Sequence, residues 1–129
     1  MTTEDKNEMI AYRIKRAKET LNEIQILIDH SLWTTAINRT YYACYYAVSA
    51  LLLKNDIKSQ THSGTRQMFG LHFIKENKIS KEIGNFFSDI FDMRHSGDYD
   101  DFVEFSEEDV LDVFKSAKEL ISAIEDLIK

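Results

Sequence analysis

The sequence predicts an all-α protein, an up-and-down bundle of about five helices in a single domain spanning residues 1–129. Three observations carry that prediction. The chain has no proline and only four glycines, too few turn residues for a β-rich fold. Its apolar residues recur every three or four positions over long stretches, which is the period of a helix face turned to a core. Hydroxyl side chains precede several of those stretches, where the free N–H groups of a helix start need an acceptor. At 129 residues the chain is long enough to bury a sizeable core.

The elements follow in order. Ile10, Ile14, Ala17, Leu21, Ile24 and Ile28 step by three and four, so a first helix is expected over about residues 4–30. Its opposite side carries Arg13, Lys15, Arg16 and Lys18, read as a solvated face. A second helix is expected over about residues 32–55. One face of it is small (Ala36, Thr40, Ala43, Ala47, Ala50), and the next carries Tyr41, Tyr45, Val48 and Leu52. With apolar groups round most of its circumference, it should be the central helix.

Thr61 or Ser63 is placed to cap a third helix reaching about residue 77. Ser80 is placed to cap a fourth, "SKEIGNFFSDIFDMRHSG", with Ile83, Phe86, Phe87, Ile90 and Phe91 inward and Gly97 where a helix-ending glycine would sit. The segment "DYDDFVEF" alternates like a strand but has no partner strand, so it reads as an extended link. Ser106 and Asp109 resemble a capping box, and Val110, Phe114, Ala117, Ile121, Ile124 and Ile128 stripe a last helix running to Lys129. There is no internal repeat and no low-complexity segment.

Composition narrows the function. Residues 1–97 hold 13 Lys/Arg and 11 Asp/Glu, a net of +2, whereas residues 98–129 hold 3 and 11, a net of −8. An acidic chain argues against duplex DNA as a partner, because such binding rests on neutralising phosphates. No stretch is apolar enough for a membrane span. The polar start, "MTTEDKNEM", is not of signal-peptide type, and the lone Cys44 fits a reducing cytoplasm.

No Glu-x-x-His pair of the di-iron bundle kind occurs, and His62 and His72 are not a simple ligand pair, so no metal or other cofactor is expected. Cys44, among alanines and tyrosines, reads as an inert buried thiol. Gly64 and Gly70 are isolated and form no phosphate loop.

Arg39 sits in an otherwise apolar helix with Tyr42 three positions on. It reads either as one half of an ion pair, with Asp89, Asp92 or Asp98, or as a guanidinium reserved for a phosphate. His62 and Ser63 lie at a helix start, where an anion would also be favoured. Arg94, His95, Asp98 and Tyr99 put a cation, an imidazole, a carboxylate and a phenol within six residues. That set suits acid–base work on a phosphodiester. It equally suits two basic groups finishing a helix and two residues anchoring a turn.

Three blocks, "NRTYYACYYAVSALL", "THSGTRQMF" and "RHSGDYDD", resemble the HEPN domains over about residues 8–127. The resemblance implies an all-α bundle that forms a homodimer. It also implies a minimal nucleotidyltransferase as partner, often in a toxin–antitoxin pair, and RNA or a nucleotide as ligand. Many HEPN proteins are metal-independent endoribonucleases that use an arginine followed four to six residues later by a histidine, paired across the dimer. Arg94 fits the arginine, but no histidine follows at that spacing, and Asp98-Tyr99 stands where active members carry His-x-Tyr. The resemblance therefore implies a nucleotide- or RNA-binding component without the family's catalytic pair. The alternative is a ribonuclease using Arg94 with His95 or Asp98. Arg94, Asp98 and Tyr99 would line the dimer cleft, and Arg39, Tyr42, His62 and Ser63 a second anion pocket.

Overall fold

The computed structural model describes all of residues 1–129, and its regular structure is all helix, with no strand. The helices are α1 (Thr3–Asp29), α2 (Trp33–Lys54), α3 (His62–Phe69), α4 (Lys81–Tyr99) and α5 (Glu107–Ile128), with a π-helical turn at Gly70–Ile74. Capping residues set the starts. The hydroxyls of Thr2, Thr61 and Ser80 accept from the N–H groups of Asp5, Gly64 and Ile83. Ser106 and Asp109 form a reciprocal capping box, with bonds of 3.1 and 3.0 Å.

The α1 and α2 helices run against each other, and α5 and α4 pack on α2 from other sides. α2 is the centre: eleven of its side chains are buried, including the whole small face from Ala36 to Ala50. That face matters because small side chains let a neighbouring helix backbone come close. One continuous core draws on every helix, from Ala17 and Ile24 on α1 to Leu120 and Ile124 on α5. No helix is long and apolar enough to cross a membrane.

Three expectations are corrected. The third helix does not run regularly to residue 77; it widens at Gly70–Ile74, where Lys75 N–H donates to the Gly70 carbonyl five residues back, and the turn closes at Asn77 in the left-handed region. The wide turn brings Phe69, Phe73 and Ile74 onto the core together. Gly97 does not end α4, which continues to Tyr99. No glycine here has positive φ. Instead, a β-carbon at Gly97 would lie 2.9 Å from the Phe105 ring and 3.3 Å from the Thr34 methyl, so the glycine admits a close approach. Asp98 and Tyr99 therefore belong to the last turn of a helix, and the link is confined to residues 100–106. Finally, the basic side of α1 is only half solvated. Lys15 and Lys18 are exposed, but Arg13 reaches the Ser49 carbonyl at 3.3 Å and Arg16 lies over the Tyr46 ring.

Candidate functional site

The three blocks singled out in the sequence meet at one place. α2 presents Asn38, Tyr41, Tyr42 and Tyr45, spaced by three, one and three, so that they share one face. The N-terminal turn of α3 lays His62 on those rings, and the last turns of α4 bring Arg94 and Asp98.

Tyr41 is the hub. It has no solvent exposure, and its hydroxyl lies 2.7 Å from His62 Nδ1. The Arg94 guanidinium carbon stands 4.9 Å from the Tyr41 ring centre and 5.9 Å from that of Tyr42, a cation–π arrangement. His62 is also stacked 4.4 Å from Tyr45 and edge-on to Tyr42. Burial pushes the Tyr41 phenol well above its usual range, against the opposing pull of Arg94. Tyr41 therefore keeps its proton. Either its O–H donates to Nδ1, or the Nδ1–H of the other tautomer donates to its oxygen and leaves Nε2 with a free lone pair.

Arg94 is held but under-neutralised. Its side chain is 12% exposed, and its single ion pair, Nη1 to Asp98 Oδ2, is long at 3.5 Å. Asp98 is shared with Asn38, which donates to both of its oxygens at 3.2 and 3.3 Å. Arg94 Nε is buried and meets no acceptor. A charge so placed costs free energy unless an anion completes its neutralisation at the guanidinium edge.

The remaining candidates divide. Arg39 is half-buried, lies 5.6 Å from the Tyr42 ring and pairs with Glu23 of α1 at 3.8 Å, not with Asp89, Asp92 or Asp98. Asp92 is taken by Arg66 at 3.2 Å, and Asp98 by Arg94. Tyr42 is thus near both Arg39 and Arg94, so residues expected in two separate places share one aromatic neighbour. Ser63 is exposed, and Thr61, not Ser63, is the cap. His95 and Tyr99 form a separate exposed pair with rings 4.8 Å apart and make no hydrogen bond to Arg94. No three His, Cys, Asp or Glu side chains converge closely enough to hold a metal ion. Tyr41, Tyr45 and Asn38 were absent from the sequence-derived site. Their common face with Tyr42 was the available signal.

The His62 imidazole is held below its ordinary value, first by burial and second by the Arg94 charge. Its folded value therefore lies under its unfolded one, so the unfolded chain binds more protons as pH falls. The contribution is neutral above the unfolded value, about 6.5, and becomes a loss of stability as pH drops from there toward the folded value. In Arg94→Gln one of the two causes is gone, and the His62 titration followed by proton NMR should move up. An unmoved titration would assign the shift to burial alone.

Comparison with known proteins spans all three blocks. A family model for the HEPN domain matches residues 10–127. A "UPF0332 protein" of Thermotoga maritima is 40% identical over 125 residues, covering 97% of this chain and 95% of that protein. Two Methanocaldococcus jannaschii proteins, each named "Putative toxin", are both 32% identical. One match covers 74% of this chain and 65% of the relative, the other 77% and 74%. Matched over residues 10–127 and folded as an all-α bundle, the chain belongs to the HEPN domain family.

Proposed function

We propose that this protein is the RNA- or nucleotide-binding component of a toxin-type module, acting as a homodimer with a minimal nucleotidyltransferase partner in the cytoplasm, and that it does not cleave RNA by the family's arginine–histidine pair. The carrying observation is Arg94. It stands over the Tyr41 and Tyr42 rings and is matched by one long ion pair, while the next residue on its helix, His95, packs its ring on Tyr99. A guanidinium fixed in this way suits a phosphate, and the neighbouring rings suit a base. The names of the Methanocaldococcus relatives support the toxin-type role, and the family resemblance supports the dimer and the partner.

A second reading, a metal-independent endoribonuclease, gains one specific support. The imidazole brought near Arg94 is His62, not His95, and Asp98 is held by Asn38. In its Nδ1–H form His62 has a free Nε2, suited to take the proton of a ribose 2′-hydroxyl. That oxygen would attack the phosphorus and the P–O5′ bond would break, giving a 2′,3′-cyclic phosphate and a 5′-oxygen that takes a proton from water to become a hydroxyl, while His62 returns its proton to solvent.

One experiment separates the two. A labelled single-stranded RNA of twelve nucleotides is mixed with the purified protein under metal chelation, and both anisotropy and strand cleavage are followed. The binding role predicts affinity without cleavage, weakened roughly tenfold or more by Arg94→Ala, the loss of one charge-assisted contact. Cleavage abolished by both Arg94→Ala and His62→Ala would establish the ribonuclease. A folded wild-type protein that neither binds nor cleaves would refute both.

A further inference from the structure

Next to the candidate site lies a cavity of about 290 Å³ between α1, the end of α2 and the 57–60 loop. Its lining includes Arg13, Tyr45, Leu53, Ile57, Lys58 and Gln60, and contains no acidic residue. A cavity between α3 and α4 also has two bases and no acid in its lining, but there Arg66 is paired with Asp92. In the cavity beside the site neither base is neutralised: Arg13 and Lys58 take part in none of the molecule's ion pairs. Arg13 spends one donor on the Ser49 carbonyl at 3.3 Å, and its planar fork keeps others. Tyr45 joins the cavity to the site. The same ring lines the cavity and stacks 4.4 Å from His62.

We infer that this cavity is a second phosphate subsite, which holds one nucleotide unit by its phosphate on Arg13 and Lys58 and by its ring against Tyr45 and the Leu53–Ile57 wall. The inference rests on the reading that the Arg94 end binds RNA or a nucleotide, and extends it to a neighbouring position. Two unneutralised cations without a carboxylate select an anion. The aromatic and aliphatic walls select one that carries a flat apolar ring. The volume suits a single unit. Two sources share this chemistry: a free mononucleotide, and one unit of a single-stranded RNA that passes from His62 across Tyr45.

The test uses the full chain as wild type, Arg13→Ala, Lys58→Ala and Arg94→Ala, each checked for helical content. Ligands are a labelled twelve-nucleotide single-stranded RNA, followed by anisotropy over a salt series, and AMP, followed by calorimetry. Lys58 is exposed in a loop, so its variant probes the subsite without a packing change. If RNA is the source, Arg13→Ala weakens RNA binding roughly tenfold, Lys58→Ala weakens it less, and each flattens the logarithmic salt dependence by about 0.7, the loss of one phosphate contact. If a free nucleotide is the source, AMP binds the wild type and Arg13→Ala weakens that binding. If Arg13→Ala and Lys58→Ala match the wild type with both ligands while Arg94→Ala loses affinity, the subsite is overturned and the proposed function stands. If the folded wild type binds neither ligand, both fall.

Discussion

Tyr41→Ala is expected to cost about 3–5 kcal/mol of stability, the range for deleting a large buried aromatic side chain. Tyr41 is fully buried at the crossing of α2, α3 and α4, with the rings of Phe87 and Phe91 packed on it from α4 and His62 from α3. Its removal leaves a cavity that the neighbouring backbones cannot close, because α2 is fixed on its other side by its small face. Tyr41→Phe is the informative partner. It keeps the ring and loses only the bond to His62, so the expected cost is about 1 kcal/mol. Urea unfolding of the two variants separates the contributions. Equal losses would mean that the hydrogen bond outweighs the packing. A loss below 1 kcal/mol for the alanine variant would remove Tyr41 from the core.

The second large effect is expected at Gly97. A β-carbon there would stand 2.9 Å from the Phe105 ring, closer than side-chain carbons sit in practice, and a tight 3.3 Å from Thr34. Gly97→Val should cost about 1–3 kcal/mol by overpacking. Gly97→Ala sets the same clash against a helix-propensity gain of up to about 1 kcal/mol, so its net change should be small. The valine variant should also lose ligand affinity, because Gly97 lies between Arg94 and Asp98 and pushing this turn outward separates them from α2. Full stability in Gly97→Val would show that Phe105 moves aside freely. The double variant Gly97→Val with Phe105→Ala should recover part of the loss.

The helices were legible because their determinants are local. The stripes of α1 and α5 and the small face of α2 recur at fixed intervals, and the Ser106–Asp109 box needs only four consecutive residues. Gly97 misled for a physical reason: glycine marks both left-handed turns and close approaches, and only a neighbour from elsewhere, here Phe105, tells them apart. The π turn was hidden because the core contacts of Phe69, Phe73 and Ile74 that accompany it are not local to the sequence. Arg94 was legible as a candidate residue, but the imidazole that the fold brings near it was not. His62 comes from another helix, and nothing local to "THSG" shows that α3 will lay it on Tyr41. Arg39 likewise found its acid, Glu23, on a helix no sequence spacing links to it.

α2 buries eleven side chains, whereas α4, which carries Arg94, fully buries only Phe87 and Ile90. The two walls of the candidate site therefore differ in lifetime. Backbone amides in the middle of α2 should exchange with water only when the whole protein opens, and those in the last turns of α4 by local fraying. The expected picture is a joint between a lasting surface and one that opens more often. An anion bridging His62 and Arg94 would prolong the closed state, and by the same linkage anything that loosens α4 would release that anion.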